Sequence, residues 1–229
     1  MIGIIGAMAE EVEEIKKLMS IEEQKEIQDY LFYVGKMNQK DVVLLQGGIG
    51  KVNAAVATTL LLSHYDIDCV INIGSAGGLS LEQNVGDVVI SSEVVHYDVD
   101  VTAFQRELGE VPGMPRFFVP DQDLLKRVKD ILSQLHMVSH IGLIASGDQF
   151  VSREDQVQKI KHDFPQAMCV EMEAAAIAQV CYVFHKKFII TRSLSDIFNK
   201  GENHIQFDEY LKKASQASAK MCYELVSTL

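Results

Sequence analysis

The sequence lacks tryptophan and is poor in proline and cysteine, with four of each among 229 residues. The cysteines, at positions 69, 169, 181 and 222, are too far apart to form a Cys-x-x-Cys metal or redox pair. We therefore expect them to be free, buried side chains of a protein from a reducing compartment. With 48% hydrophobic and 23% charged residues, the chain has the composition of a folded globular protein.

Positive charge is also scarce, since 21 Lys and Arg residues face 32 Asp and Glu residues and give a formal net charge of −11. Nucleic-acid binders and proteins that attach to anionic membranes concentrate positive charge, so this balance argues against both classes. No basic leader precedes the apolar residues 2–5, and no uncharged apolar run approaches the roughly 18 residues that a membrane span requires. These features predict a cytoplasmic protein.

The seven histidines are scattered along the chain. His136 and His140 have the spacing of a metal-binding pair on a helix, but no Glu follows the first and no third ligand is near in the sequence. We therefore expect no metal site.

Apolar segments of strand length alternate with helical segments along the chain. Such alternation is typical of an α/β sheet with helices on both faces, and no linker rich in Ser, Gly or Pro divides the chain, so we predict one domain over residues 1–229. The predicted strands are 2–5, 31–34, 42–45, 69–73, 85–95, 141–145, 168–171 and 188–191. The predicted helices are 8–14, 52–64, 121–135, a segment from 174, and 207–229, with a loop over 97–120.

Two glycine-rich segments follow predicted strands. Residues 47–51 (GGIGK) lack the spacing of a P-loop and of a Gly-x-Gly-x-x-Gly motif, which favours a tight strand-to-helix turn. Residues 74–78 (GSAGG) fit either a plain turn or a loop whose backbone N–H groups approach a ligand closely. The local sequence does not separate these two interpretations.

Acidic side chains follow three of the predicted strands, at Glu11, Glu173 and Asp196. Each also has an ordinary structural role open to it, because Glu11 and Glu173 could cap helices and Asp196 could pair with Arg192 in a loop. In α/β sheets, however, sites form at the carboxyl ends of the strands, where these residues would converge. Carboxyl groups in different surroundings can have separated pKa values and supply both an acid and a base. The sequence therefore predicts a cleft that contains several carboxyl groups.

A series of short motifs runs from one end of the chain to the other. In order, they are 3–12 (GIIGAMAEEV), 48–52 (GIGKV), 74–77 (GSAG), 101–104 (VTAF), 146–150 (SGDQF), 170–174 (VEMEA) and 195–196 (SD). Together they resemble the bacterial 5′-methylthioadenosine/S-adenosylhomocysteine nucleosidases, which have the purine nucleoside phosphorylase-like fold. The resemblance implies a single-domain α/β protein with a mixed β-sheet flanked by helices, no cofactor and no metal.

The resemblance implies hydrolysis of the N-glycosidic bond of the two thio-nucleosides, and of 5′-deoxyadenosine, in methionine salvage and the recycling of S-adenosylmethionine by-products. Glu11 would be the base that activates water, with help from Arg192. Asp196 would be the acid at adenine N7, placed by Ser195. Such an acid must keep its proton near neutral pH, against an ordinary pKa of about 3.9, and burial would raise the pKa of Asp196.

The resemblance also implies which residues bind an adenine nucleoside. Adenine would stack on Phe150, and the Val151 backbone would contact its edge. The sugar and its 5′ substituent would be bound by Glu173 at the ribose hydroxyls, Met8 and Met172 against the sugar, Ser75 in the lining, and Ile49 and Phe207 as apolar walls. The 97–113 loop would complete the pocket of a neighbouring subunit through Val101, Phe104 and Pro112, which implies a homodimer.

The sequence leaves further activities open. Phosphorylases of the same fold split the bond with phosphate, and some carry Arg two residues before the Gly-Ser of their phosphate loop, where this chain has Asn72. The lack of that cation, and the acidic Glu11 beside the site, favour water. A hydrolase of another nucleoside such as futalosine is a further candidate, and so is a nucleoside-binding protein without turnover. The chain departs from the family pattern at 96–100, 105–110 and 197–202, segments that concern the choice of 5′ group.

Overall fold

The structure of the chain, a computed structural model, describes residues 1–198, 200 and 203–229, and the side chains of residues 203–209 lie outside the described part. In that part the strands are β1 Ile2–Gly6, β2 Ser20–Ile27, β3 Tyr30–Met37, β4 Lys40–Gln46, β5 Cys69–Asn72, β6 Ser75–Gly78, β7 Val88–His96, β8 Ser139–Ser146, β9 Ala167–Glu171 and β10 Lys187–Ile197. The helices are α1 Ala9–Lys16, α2 Lys51–His64, α3 Gln122–Gln134, α4 Glu154–Asp163, α5 Ala174–Val183 and α6 Asn203–Ser227, with a 3₁₀ turn at Thr102–Phe104. The predicted α/β class is confirmed.

The described strands form one sheet in the order β2-β3-β4-β1-β5-β10-β6-β9-β8-β7. Strands β4, β1, β5 and β10 are parallel neighbours, whereas β3 is antiparallel to β2 and β4, and β6 is antiparallel to β9. The sheet is therefore mixed, as predicted. Strand β7 also pairs with Thr191–Ser193 of β10, so that β10, β6, β9, β8 and β7 close into a ring.

Helices cover both faces of the sheet and bury its apolar side chains. On one face, Leu61 of α2 and Ile177 of α5 belong to one buried cluster. On the other face, Ile15 of α1, Val128 of α3 and Leu225 of α6 belong to a second. All four cysteines are buried and free, as predicted. No helix in the described residues has the length and apolar character needed to cross a membrane.

Helix α3 shows how local sequence sets an element. The Asp121 carboxylate accepts the N–H groups of Asp123 and Leu124, both at 3.1 Å, and so caps the free donors of the first turn. Leu124 and Val128, four residues apart, lie on one face of the helix and are buried against the sheet. The predicted helix over 121–135 is confirmed to within a residue at each end.

The segment 74–78, for which a turn or loop was expected, contains strand β6. It pairs with β10 on one side and with β9 on the other. Small residues permit this close packing, because a Cβ on Gly78 would lie 2.6 Å from the Ile197 side chain. Local composition predicted a loop, whereas pairing with two strands distant in the chain makes it a strand.

Strand β10 is longer than the predicted strand over 188–191 and continues to Ile197. Arg192 and Asp196 therefore lie within a strand and not in a loop after it. The first part of β10 pairs with β5 and the second part with β6, with a register shift between Leu194 and Asp196. The polar residues Arg192, Ser193 and Asp196 therefore lie in a part of β10 that is paired with other strands of the sheet.

Strand β2 and helix α4 were not predicted. Strand β2 lies at the edge of the sheet and is almost entirely exposed, so its sequence has no alternation of apolar and polar residues. Helix α4 is polar and buries only Val157 and Ile160. Both elements carry too few apolar positions for a periodic pattern to be recognised.

Candidate active site

A cavity of about 230 Å³ lies at the carboxyl ends of β1, β5 and β9, beside the second part of β10. Most of the residues predicted to form the site line it. They are Met8, Glu11, Ile49, Ser75, Phe150, Val151, Met172, Glu173, Arg192, Ser195 and Asp196. The structure therefore brings together the three acidic side chains that follow separate strands in the sequence prediction.

Glu11 lies in the first turn of α1, directly after β1, and is buried. Its Oε2 accepts the N–H groups of Ala7 at 2.8 Å and Met8 at 3.1 Å, and its Oε1 accepts the Ser75 N–H at 3.1 Å. Burial raises the pKa of Glu11, while the positive charge of Arg192 and the three N–H groups oppose that rise. A carboxylate in this setting is suited to take a proton from a bound molecule. The bond from Met8 also caps α1, so Glu11 is both a capping residue and a site residue.

Asp196 lies near the end of β10 and is only 2% exposed. The Ser195 hydroxyl donates to its Oδ1 at 2.9 Å. Gly77 of the neighbouring strand leaves space beside the carboxyl group, because a Cβ at that position would lie 3.2 Å from Oδ2. Ser195 thus orients the Asp196 carboxyl group, and Gly77 leaves room for it at the cavity wall.

Glu173 stands at the start of α5 and connects it to the glycine-rich segment 47–51. Its Oε1 accepts the N–H of Gly50 at 2.9 Å. Gly50 has a φ of 93°, in the region that favours glycine, so the predicted tight turn also supplies a donor to the site. Burial raises the pKa of Glu173 to about 8, and the negative charge of Glu171 adds to the rise. Glu173 thus retains a proton more readily than an exposed carboxyl group.

Arg192 is buried, and the described hydrogen bonds of its guanidinium are to groups other than Glu11. Nε and Nη2 donate to Glu171 Oε2 at 3.2 and 2.6 Å, and Nη2 donates to Asn72 Oδ1 at 2.6 Å. The Thr191 carbonyl accepts from Nη1 at 3.0 Å. Among the described residues the ion pair of Arg192 is with Glu171. The charge of Arg192 opposes the rise in the pKa of Glu11 caused by burial. The predicted help of Arg192 to Glu11 as a base stays a prediction, and this electrostatic effect is how it would act.

The remaining predicted residues do not line the described part of this cavity. The side chain of Phe207 lies outside the described residues. Phe104 is 81% exposed, Pro112 is exposed and Val101 is half-buried, all in the surface segment 97–113. A pocket-forming role for these three requires a second subunit.

The sequence analysis included Glu171 in the motif 170–174 but gave it no role in the site, and Asn72 stood out only as the position of a missing cation. Both lie at the carboxyl end of a strand, β9 and β5, and both bind Arg192. That position is the same signal that drew attention to Glu11 and Asp196. It could have identified Glu171 and Asn72 as site residues, although not their shared partner.

The arrangement can deliver a proton and remove one within the same cavity. Buried carboxyl groups stand in unequal surroundings, and a buried guanidinium lies beside two of them. Within the described part of the chain, no group of three or more His, Cys, Asp or Glu side chains is placed to hold a metal ion. The chemistry available from these residues is acid–base catalysis at a bond held between them.

The chain is similar to known proteins over its whole length. A family model of the phosphorylase superfamily matches residues 1–227. The 5′-methylthioadenosine/S-adenosylhomocysteine nucleosidase of Staphylococcus epidermidis (strain ATCC 12228 / FDA PCI 1200) is 47% identical over 229 residues, with 100% of each chain covered. The similarity therefore includes every segment that contributes to the cavity.

Solved structures show the same relationship. The 5′-methylthioadenosine/S-adenosylhomocysteine nucleosidase of Neisseria meningitidis, in complex with methylthio-immucillin-A, has a TM-score of 0.96 and 43% identity, covering 100% of this chain and 99% of that one. The futalosine hydrolase of Helicobacter pylori strain 26695 has a TM-score of 0.94 and 33% identity, covering 100% and 97%. Of these two enzymes, the nucleosidase is the more similar in sequence.

Proposed function

The chain belongs to the phosphorylase superfamily and, within it, to the 5′-methylthioadenosine/S-adenosylhomocysteine nucleosidases, and from this membership we propose that residues 1–229 form one domain that hydrolyses the N-glycosidic bond of these two nucleosides. The products are adenine and the corresponding 5-thioribose derivative. 5′-Deoxyadenosine, which has the same bond and an uncharged 5′ group, is a further substrate. This reaction serves methionine salvage and the recycling of S-adenosylmethionine by-products in the cytoplasm.

Hydrolysis of the bond develops positive charge on the ribose and negative charge on the leaving adenine. Glu11 takes a proton from the attacking water, and Asp196 supplies a proton to adenine N7. The support for this assignment is that both groups are buried in one cavity and that Arg192 favours the ionised form of Glu11. General acid–base assistance of this kind contributes about 10²- to 10⁴-fold to a rate.

The other residues of the cavity suit the parts of an adenine nucleoside. Phe150, half-exposed at the cavity, offers an aromatic ring for stacking against the base. Glu173 offers carboxyl oxygens to the ribose hydroxyls, and Met8 and Met172 offer apolar contacts to the sugar. Ile49 is 54% exposed and provides an apolar wall for a thioether. Polar and apolar groups are thus both available where such a ligand needs them.

The charges of the cavity favour water over phosphate as the nucleophile. Among the described residues, the cavity contains the carboxyl groups of Glu11, Glu171, Glu173 and Asp196 and one guanidinium, that of Arg192. That guanidinium already binds a carboxylate, so little positive charge remains for a phosphate dianion. At the position where some phosphorylases carry Arg, the amide of Asn72 donates to the Ile5 carbonyl at 2.9 Å and accepts from Arg192.

The convergence of Glu11, Glu173 and Asp196 on one cavity carries the proposal. The direct test is to incubate the protein with each thio-nucleoside in phosphate-free buffer and to quantify adenine by chromatography. We expect adenine from both, at a rate that added phosphate does not increase, together with a free sugar and not its 1-phosphate. Failure to release adenine from either nucleoside would refute the function, and strict dependence on phosphate would show a phosphorylase.

Hydrolysis of futalosine is the second candidate. It is favoured by the full-length similarity to a futalosine hydrolase and by the altered segments 105–110 and 197–202. The same incubation discriminates the two, with futalosine added at equal concentration and the purine base that it releases also quantified. Higher kcat/KM for futalosine than for 5′-methylthioadenosine would replace the first proposal by this one. A protein that binds adenine nucleosides tightly without turnover would be a binding protein instead.

A homodimer would complete the site with the 97–113 loop. Exposed apolar side chains on neighbouring helices support it, since Val52 of α2 is 73% exposed and Val183 of α5 is 51% exposed. Both border a groove that also includes Val99 and Val111. Contiguous apolar surface of this kind is typical of protein contacts. Val99 and Val111 belong to the 97–113 loop, so a second copy seated on this groove would contact that loop.

The dimer is tested by light scattering together with kinetics. We expect twice the mass of one chain, and dissociation with loss of turnover on Val52→Lys. In the intact dimer, Phe104→Ala should raise KM for 5′-methylthioadenosine more than it lowers kcat. A monomer with full activity would exclude the shared pocket.

A further inference from the structure

Glu171 is a buried carboxyl group for which the proposed reaction has no chemical task. It lies at the end of β9 and is 7% exposed. Its Oε1 accepts from the Ser146 hydroxyl, and its Oε2 accepts from Nε and Nη2 of Arg192 and from the N–H groups of Glu173 and Ala174. Bonds from a charged donor and from several neutral ones hold such a side chain in one orientation.

The first set of contacts fixes Arg192. Because Glu171 and Asn72 bind Nε and Nη2, the third nitrogen, Nη1, borders Gly74. A Cβ on Gly74 would lie 3.5 Å from Nη1 and 3.3 Å from Glu11 Oε1. The same point is therefore close to both the guanidinium and the proposed base. Glu171 sets which edge of the guanidinium faces the space where water would be activated.

The second set of contacts fixes the start of α5. The N–H groups of Glu173 and Ala174 donate to Glu171 Oε2 at 3.0 and 2.8 Å. The Ser146 hydroxyl, which donates to Glu171, accepts the Ala175 N–H at 2.8 Å. Donors of the first helical turn that have no partner in the helix are thereby satisfied. The backbone of Glu173, the proposed acceptor for the ribose hydroxyls, is held by the same carboxylate that holds Arg192.

We propose that Glu171 is a positioning residue that couples the two halves of the site, because one carboxylate fixes both the guanidinium beside the attacking water and the acceptor for the ribose. The inference rests on the proposed function. Both sets of contacts meet at Oε2, so any displacement of this oxygen misaligns water and sugar together. Misplacement of reacting groups by about 1 Å costs on the order of a hundredfold in rate.

Glu171→Gln is the first test, since it keeps the size of the side chain and removes its charge. We expect kcat/KM for 5′-methylthioadenosine to fall by about a hundredfold. The charge of Glu171 contributes to the raised pKa of Glu173. Glu171 also forms an ion pair with Arg192, and so offsets the positive charge that lies beside Glu11. Removal of the Glu171 charge should lower the pKa of both carboxyl groups, so the acid limb of the kcat/KM profile should move to lower pH.

Two further variants separate the two sets of contacts. Asn72→Ala removes an acceptor of Arg192 and leaves the start of α5 intact, so it should lower kcat with little change in KM. Ser146→Ala weakens the start of α5 and leaves the Arg192 contacts intact, so it should raise KM more than it lowers kcat. Thermal unfolding and adenine binding check that each variant is folded.

The outcomes are separable. A folded Glu171→Gln variant with the kcat/KM of the unchanged protein overturns the inference, and so does a loss of activity that leaves the acid limb in place. If that variant does not fold, the other two variants decide. The inference is then overturned if Asn72→Ala and Ser146→Ala change kcat and KM in the same pattern. An unchanged protein that releases no adenine refutes the proposed function itself, whereas an active one with unaffected variants refutes only the role of Glu171.

Discussion

A single methyl group added at Gly74 should stop hydrolysis while the protein still binds adenine nucleosides. Gly74 lies between β5 and β6, where the partner of β10 changes. A Cβ there would lie 3.3 Å from Glu11 Oε1, 3.4 Å from Arg192 Cζ and 3.5 Å from Arg192 Nη1. A water that both groups could bind would occupy this same space. The methyl group of Gly74→Ala therefore displaces the nucleophile and leaves Glu11 and Arg192 in place.

The backbone at Gly74 tolerates this change, because its φ is outside the left-handed region and the new methyl would come no closer than 3.3 Å to any neighbour. Crowding of this kind costs about 1 kcal/mol of folding stability. Loss of the activated water removes general-base assistance, so kcat should fall by about 10²- to 10⁴-fold. We expect adenine to bind Gly74→Ala as it binds the unchanged protein, since the methyl is not placed at the base-binding residues.

Gly47→Ala is the matched control, because its methyl group would meet Ile5 Cγ2 at 3.2 Å without lining the cavity. It should show a similar loss of thermal stability and unchanged kcat. Release of adenine is followed by chromatography, and binding of adenine by calorimetry. Near-normal kcat for Gly74→Ala would refute the placement of water between Glu11 and Arg192. Equal loss of kcat in both variants would show that crowding alone is responsible.

Three further predictions concern the carboxyl groups and the nucleophile. Asp196→Asn should remove nearly all turnover while adenine-nucleoside binding persists, and near-normal turnover would exclude Asp196 as the acid. Because the fold raises the pKa of Glu173 from 4.5 to about 8, its protonated form is favoured and its contribution to stability declines as pH rises between these values. The melting temperature of Glu173→Gln, relative to the unchanged protein, should therefore rise over this range, and a constant difference would contradict the shift. Asn72→Arg should slow hydrolysis without converting the enzyme to a phosphorylase, because the Asn72 amide also orients Arg192. Product analysis with and without phosphate would check this prediction.

Local sequence was sufficient for elements whose own residues decide their structure. Helix α3 has a capping residue and a regular apolar face, β1 is an apolar run, and β4 contains the apolar run 42–45. Strand β6 has neither feature, since Ser75–Gly78 has little preference for a strand. It is a strand because β9 and β10, which follow much later in the chain, pair with its two edges. Non-local pairing of this kind leaves no mark on the segment itself.

The same distinction applies to the site. Topology brings Glu11 and Glu173 to one cavity, because both follow strands whose carboxyl ends meet there. The contacts of Glu171 were not predictable, because Ser146 and Arg192 lie 25 and 21 residues away in the chain. Position at a strand end indicates that a side chain is near the site, but its bonding partners depend on rotamers and on other strands.

The hydrogen bonds of the site also explain why Glu11, and not Glu173, is suited to be the base. Burial raises the pKa of both groups, but three backbone N–H groups and the charge of Arg192 favour the ionised form of Glu11. Glu173 accepts one N–H, from Gly50, and the adjacent charge of Glu171 opposes its ionisation, although the charge of Arg192 acts in the other direction. Below pH of about 8, the protonated form of Glu173 is therefore favoured. A protonated carboxyl group cannot remove a proton from water, so these surroundings favour the proposal that Glu11 is the base and that Glu173 binds the sugar.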